Sequence, residues 1–181
     1  MKSKAVVAGH AVHPMLVVFP LGLLVTSIVW DIAALVSKNP TWGTIAYWTI
    51  VAGVVGALLA AVPGFIDWLA IPRGTRARAL GAWHMAINLV LVALFAISLL
   101  ARANATGGYA AARFVHMVWG WLGIGLGTIS AWMGGELVET LGISVRAGAN
   151  PDAPSSLGRG KEPPRLPPSV PRRPTPLTRG H

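Results

Sequence analysis

Four long apolar segments, separated by short polar stretches, constrain this chain more than any other feature. They run from Pro14 to Val36, from about Ile45 to Leu69, from Leu80 to Ala101, and from Phe114 to about Met133. Each is close to the roughly 20 residues that an α-helix needs to cross the apolar part of a bilayer. The chain is therefore predicted to be an all-α membrane protein whose four helices span the lipid.

The composition agrees with this class and excludes several chemistries. Only 12% of the residues are charged, against about 25% in a typical soluble domain. Cysteine is absent from the sequence, which excludes a disulfide framework, a thiolate metal site and a cysteine nucleophile. The sequence also lacks a nucleotide-binding loop, a catalytic triad and a zinc-protease motif. No catalytic residue is assigned, and a non-enzymatic role is favoured.

The connections between the apolar segments are short, so neighbouring helices should be antiparallel in an up-down-up-down four-helix bundle. Basic residues set the orientation, because they collect on the cytoplasmic side of a membrane. One side carries Lys2, Lys4, Arg73, Arg76 and Arg78, and the other carries Lys38, Arg102 and Arg113. We therefore expect a bacterial inner-membrane protein with both termini in the cytoplasm and an uncleaved first helix.

Three parts are predicted along the chain: a cytoplasmic or interfacial segment over residues 1–13, a transmembrane domain over residues 14–145, and a tail over residues 146–181. The tail is basic, rich in proline and poor in large apolar residues, so we expect it to be disordered beside anionic lipid headgroups. Topology and tail together explain the net charge of +9, and nucleic acid is not an expected partner. No internal repeat is evident.

Ionisable residues inside apolar helices are costly, so each marks a candidate functional site. The cytoplasmic end has His10, His13, Asp67, His84 and Glu136, and the opposite end has Asp31 and His116. Helical spacing places them on the same faces as glycine, serine and asparagine residues, and we expect these faces to point into the bundle. The glycine stripes fit either close helix packing or room for a flat cofactor such as haem.

The histidines that begin the first and third segments are the strongest indication of a ligand. Those two helices are diagonal in an up-down bundle, so His13 and His84 could approach one iron or zinc ion from opposite sides. One hypothesis is a cofactor site of His13, His84 and Asp67, and another is a metal site among these three residues and Glu136. The structural alternative is that His84 bonds to Asp67 and fixes the helix register.

At the opposite end, Asp31 is the expected partner of His116, as a buried pair in which the carboxylate orients the ring. Proton or metal transport would need this pair to be connected to the cytoplasmic layer. The gap is roughly 15–20 Å at 1.5 Å per helical residue, and few polar side chains bridge it. Transport is therefore the least favoured function.

The sequence also resembles a known bacterial family. The stretches HPMLVVFPLGLLVTSIVWD, GFIDWLAIPRGTRARALGAWHMAINL, GWLG and GGELVETLGISV are similar to those of the domain of unknown function twenty-two thirty-one. The resemblance covers about His13 to Val145, and it implies a four-helix membrane domain with no established activity. Glu139 stands where relatives commonly have tyrosine. The motif positions carry over to His13, Asp31, Asp67, His84 and Glu136.

Some relatives are joined to a Rieske-type iron–sulfur domain, so the resemblance also implies membrane redox chemistry. The predicted function is therefore a redox-associated subunit that binds haem b or quinone near the cytoplasmic face. The alternative is a non-enzymatic scaffold or accessory subunit whose polar network is structural. The expected partners are the lipid bilayer and a membrane redox protein, and a homo-oligomer is left open.

Overall fold

The computed structural model describes residues 2–105, 113–146, 148–153 and 155. It contains four long helices preceded by a two-stranded antiparallel hairpin. These elements are β1 (Val6–Val7), β2 (His10–Ala11), α1 (Val12–Ser37), α2 (Pro40–Leu69), α3 (Arg76–Ala103) and α4 (Phe114–Glu139). All four helices are long and apolar enough to cross a membrane. The prediction of an all-α, four-span fold is confirmed.

Local capping sets the starts of α2 and α3, which lie earlier than the apolar runs indicate. Asn39 accepts a hydrogen bond from the backbone N–H of Thr41 at 3.0 Å, and Pro40 occupies the first turn of α2. At the start of α3, the hydroxyl of Thr75 accepts a hydrogen bond from the backbone N–H of Arg78 at 3.2 Å. Side-chain oxygens satisfy the free N–H groups of a helix start, and proline fits there because its missing N–H is not needed.

Arg78 organises the connection between α2 and α3. Its Nη1 donates to the carbonyl oxygens of Trp68 at 2.5 Å and Leu69 at 3.0 Å, which lie at the end of α2. The guanidinium also lies 3.7 Å from the centroid of the Trp68 ring, and Gly81 leaves space for that ring. Cations stabilise helix C-termini and aromatic faces. This arginine, expected only as a membrane anchor, therefore also fixes the loop.

The bundle consists of two helical hairpins, with hairpin 1 formed by α1 and α2 and hairpin 2 by α3 and α4. Helix–helix contacts are dense within each hairpin and sparser between them. A small apolar core at the junction contains Leu24, Ile50, Leu91 and Phe95. Elsewhere large apolar side chains face outward, among them Trp83 and Trp132 with 67% and 66% of their surface exposed. Such an exterior suits lipid rather than water.

The buried positions repeat between the two hairpins, which corrects the expectation of no internal repeat. Buried residues of hairpin 1 have buried equivalents in hairpin 2. The equivalent lies 71 residues later when it passes from α1 to α3, and 70 residues later when it passes from α2 to α4. The first set is Pro20/Leu91, Leu24/Phe95, Ser27/Ser98 and Asp31/Arg102. The second is Ala46/His116, Ile50/Gly120, Gly53/Gly123, Ala60/Ser130, Pro63/Met133 and Asp67/Leu137. Few of these pairs are identical, so the repeat lies in position and burial rather than in residue type.

Close packing inside each hairpin follows the same repeat. A Cβ atom on Gly53 would lie 2.6 Å from the side chain of Leu24, and one on Gly123 would lie 2.8 Å from the ring of Phe95. Small residues let helices approach closely where lipid supplies no hydrophobic drive for association. The predicted tail lies outside the described residues, apart from Arg146, 148–153 and Ser155. Arg146 donates a hydrogen bond to the carbonyl of Gly9.

Candidate functional site

His13 lies in the first turn of α1, against the last third of α2. Its Nδ1 lies 2.8 Å from the carbonyl oxygen of Ala60. The ring is half-buried over Gly64, where an added Cβ would lie 2.8 Å from Nδ1. A carbonyl oxygen can only accept, so Nδ1 carries the proton and Nε2 carries the lone pair. The first helical hairpin thus fixes both the position and the tautomer of this imidazole.

His84 has similar surroundings in the second helical hairpin, although its Nδ1 also lies 3.0 Å from the hydroxyl of Ser130, where hairpin 1 has Ala60. Its Nδ1 lies 3.0 Å from the carbonyl oxygen of Ser130, and its ring lies over Gly134, where an added Cβ would be 3.3 Å from Cε1. Ser130 and Gly134 are the repeat equivalents of Ala60 and Gly64. His13 and His84 thus lie at the same end of the bundle, near the starts of α1 and α3. We call this end of the bundle, where α1 and α3 begin, the histidine end.

The surroundings of the two rings differ at Asn88, one turn after His84. The Asn88 amide nitrogen donates to the carbonyl of His84 at 2.8 Å and to the hydroxyl of Ser130 at 2.6 Å. It also lies 3.3 Å from Nε2 of His84, which is long for a hydrogen bond. Val17 occupies the equivalent position in α1. The asparagine therefore stiffens one imidazole and has no polar counterpart beside the other.

Asp67 does not hold a histidine, which corrects both of its expected roles. It is 6% exposed, and its carboxylate binds the N-terminal arm, defined here as residues 2–11. Both oxygens accept from the hydroxyl of Ser3 at 2.7 Å, and Oδ1 also accepts from the backbone N–H groups of Lys4 at 2.7 Å and Ala5 at 3.1 Å. The short hairpin β1–β2 turns the arm back over the end of α2, and this return could not be read from helical spacing.

Glu136 also lies apart from the histidines. It accepts from Arg76 at 2.6 Å and from the hydroxyl of Thr140 at 2.8 Å, so it links the start of α3 to the end of α4. No cluster of three or more His, Asp or Glu side chains suited to a metal exists within the part of the chain that the structure describes. The larger metal set of His13, Asp67, His84 and Glu136 is therefore not assembled, and only the two histidines remain as a candidate pair.

At the opposite end, which we call the ion-pair end, the structure pairs Asp31 with Arg102, a partner that the sequence did not indicate. The guanidinium donates to both carboxylate oxygens, at 2.8 and 2.5 Å, and each residue is 1% exposed. Arg102 Nε also donates to Ser98 at 3.3 Å, and the Ser98 hydroxyl donates to the carbonyl of His116 at 2.8 Å. His116 itself is buried with 6% exposure.

The apolar pattern ends the third segment at Ala101 and therefore places Arg102 outside the span, as a basic residue of the loop side. The helix continues to Ala103, so the arginine lies in its last turn and points inward. A buried charge in a membrane protein needs an opposite charge or bound carbonyls. A signal was present in the sequence: Asp31 and Arg102 are one repeat interval apart and have opposite charge.

A separate apolar cavity of about 270 Å³ lies between α1 and α4. Its lining residues are Val25, Ile28, Val29, Trp121 and Ile124, and almost none of its surface is polar. Because both histidines lie several turns away along α1 and α3, this cavity does not belong to the histidine end.

Fold and site together define a small integral membrane protein with four apolar helices and two imidazoles at one end, each bonded to a backbone carbonyl. The chain matches the family described as "Predicted membrane protein (DUF2231)" over residues 9–147 and belongs to that family. No curated protein and no solved structure matches the chain.

Proposed function

We propose that this protein binds one haem b between His13 and His84 and acts as a redox-associated subunit of the bacterial inner membrane. The observation that carries the proposal is the matched pair of Nδ1-to-carbonyl hydrogen bonds, to Ala60 and to Ser130. A metal-ligating histidine typically donates its other ring N–H to a carbonyl or carboxylate, which fixes the ring and raises its basicity. Both rings have this arrangement, on helices that are diagonal in the bundle.

The tautomer favours haem over the two competing ligands. Each Nε2 presents a lone pair, which suits iron, whereas a quinone carbonyl would need a hydrogen-bond donor. Zinc prefers three or four protein ligands, and the described residues bring together only two. Haem iron would need only two protein ligands, which His13 and His84 would supply. Gly64 and Gly134 leave the space that keeps both rings in position.

One consequence concerns the reaction type. His13 and His84 would both hold the haem iron, and the group would then supply single-electron transfer rather than substrate binding. The protein would then exchange electrons with a membrane redox partner. Asn88 would keep its bonds to Ser130 and to the His84 carbonyl and give up its long contact with Nε2.

The orientation in the membrane belongs to the same proposal. Lys2, Lys4, Arg73, Arg76 and Arg78 lie at the histidine end. At the other end, Arg102 is bound in the ion pair, so only Lys38 and Arg113 remain as anchors there. The positive-inside rule then places the histidine end and both termini in the cytoplasm.

The test is a reduced-minus-oxidised visible spectrum of the protein purified in detergent after expression with haem supplied. We expect near-stoichiometric haem b in the wild type and loss of most of it in His13→Ala and in His84→Ala. His10→Ala is the matched control, because that histidine is exposed in the N-terminal arm and bonds only locally to Ala8 at 3.2 Å. Full haem occupancy in either axial variant would refute the proposal.

A second candidate is a non-enzymatic scaffold, favoured by the satisfied network of His84, Asn88 and Ser130. A network with every polar group bonded can serve only to fix helix register. In that case the wild type shows no haem, and His84→Ala lowers the melting temperature without releasing any ligand. Folded wild-type protein without a Soret band would therefore favour the scaffold over the haem-binding subunit.

A further inference from the structure

The two helical hairpins repeat their contacts as well as their buried positions. Leu24 covers Gly53 as Phe95 covers Gly123. The rings of His13 and His84 use equivalent carbonyls and equivalent glycines, as described above. Both hairpins also run in the same direction, because a short loop joins α2 to α3. Two like units with one direction are related by a two-fold axis parallel to the helices when their equivalent faces meet.

Residues on α1 and α3 that are equivalent in the repeat meet at this axis. Asp31 and Arg102 are in direct contact at the ion-pair end. Leu24 and Phe95 belong to one buried cluster at the centre. His13 and His84 lie near the starts of α1 and α3, at the histidine end. Two levels along the bundle thus bring each position together with its own equivalent, which is the property of an interface between two copies of one unit.

We infer that the junction of the two helical hairpins is such a two-fold interface, and that Asp31 and Arg102 select its partners. At an axis each position faces its own equivalent, so two copies of hairpin 1 would bring Asp31 against Asp31. Two copies of hairpin 2 would bring Arg102 against Arg102. Either pairing buries like charges in an apolar medium, which is strongly unfavourable.

Each hairpin therefore fits a partner hairpin that carries the opposite charge at the position of Asp31 or Arg102. Within a single chain, that requirement makes hairpin 1 pair with hairpin 2 and opposes the exchange of like hairpins between two copies. A single polar or charged position can specify partners in the same way in coiled coils.

The test uses the full chain and reverses the charges. Asp31→Arg and Arg102→Asp should each lower the melting temperature in detergent by about 10 °C or more, or prevent folding. The double variant Asp31→Arg/Arg102→Asp should recover most of this loss, because the two positions are equivalent about the axis. Lys38→Asp, a reversal of an exposed residue at the same end, is the control and should have little effect.

The double variant decides the question even when both single variants fail to fold. If it is no more stable than they are, the two positions are not equivalent and the inference is overturned. The inference is also overturned if Asp31→Arg and Arg102→Asp each fold with wild-type stability, because the charges at these positions would then not determine which hairpins pair.

A second measurement examines the serines one turn before the charges. In the wild type, Ser98 accepts from Arg102 Nε, while Ser27 bonds only to the carbonyl of Leu24 at 2.7 Å. In the double variant, the arginine at position 31 should take Ser27 as its acceptor. Ser27→Ala should then lower the melting temperature more in the double variant than in the wild type. Equal effects in the two backgrounds would contradict the two-fold arrangement.

Discussion

The two ends of the bundle use equivalent positions of the two hairpins in different ways. At the histidine end the equivalent residues are identical, and under the proposed function the Nε2 atom of each imidazole would bind the ligand. At the ion-pair end the equivalent residues have opposite charges, and they satisfy one another almost completely at 1% exposure. Identical groups suit a shared ligand, whereas opposite charges suit assembly. The comparison separates a site that can bind something from one that holds the helices together.

The largest effect on stability is expected at the ion-pair end. Arg102→Ala leaves the Asp31 carboxylate buried without its counter-charge, which should lower the free energy of unfolding by about 3–5 kcal/mol. Unfolding in mixed micelles of increasing denaturing detergent measures the change. The double variant Asp31→Leu/Arg102→Leu removes both charges and should be much less damaging. If Arg102→Ala unfolds at the wild-type midpoint, the pair contributes nothing to assembly.

Substitutions at the histidine end should have the reverse pattern: a small effect on the free energy of unfolding and a large effect on haem binding. His13→Ala removes a hydrogen bond to a backbone carbonyl, worth about 1 kcal/mol, and should abolish most haem binding. Unfolding midpoints and haem content measured on the same preparation compare the two effects. A variant that loses stability as severely as Arg102→Ala while retaining haem would reverse the roles of the two ends.

The glycines beneath the rings offer a finer test of the site. Gly64→Ala would place a Cβ 2.8 Å from Nδ1 of His13, whereas Gly134→Ala would place one 3.3 Å from Cε1 of His84. We expect Gly64→Ala to lose haem and Gly134→Ala to lose less of it. Gly125→Ala meets nothing within 4 Å and is the control, expected to be neutral or slightly stabilising because alanine favours helix. Equal haem content in all three variants would mean that ring position does not control binding.

The N-terminal arm should respond to Asp67 without a large change in the bundle. Asp67→Asn removes the charge that accepts from Ser3, Lys4 and Ala5. Charged hydrogen bonds are worth about 1.5–3 kcal/mol each, so the arm should open more often. Faster amide hydrogen exchange over residues 3–12, with unchanged exchange in α3, is the expected result. Ser3→Ala keeps both backbone donors and should give a smaller increase.

The smallest effect is expected for the surface ion pair at the histidine end. Arg76→Ala breaks a contact in which the arginine side chain is 61% exposed, and such pairs contribute little because water screens them. The melting temperature should stay within error of the wild type. A clear decrease would show that Glu136 holds α3 and α4 together more strongly than its exposure indicates.

Part of the candidate site was predictable, because some of its features are local to one helix. The placement of His13 and His84 at one end follows from helix direction and spacing, and in the structure both lie near the starts of their helices. Their joint binding of a ligand stays a prediction. The role of Asp67 did not follow, because its partners come from a segment more than 60 residues earlier in the chain. That segment is neither apolar nor periodic, so its sequence gave no signal of where it folds.

The sequence by itself determined that this is a four-helix membrane protein, because hydropathy and length act within each segment. It also indicated at which end of the bundle the histidines and the acidic residues of the helices lie. Only the tertiary structure decided which polar groups bind one another: Asp31 with Arg102, Asp67 with the N-terminal arm, and each imidazole with a backbone carbonyl. Partner choice depends on helix rotation and contact to within an ångström, and these are set by packing between segments rather than by the order of residues within one.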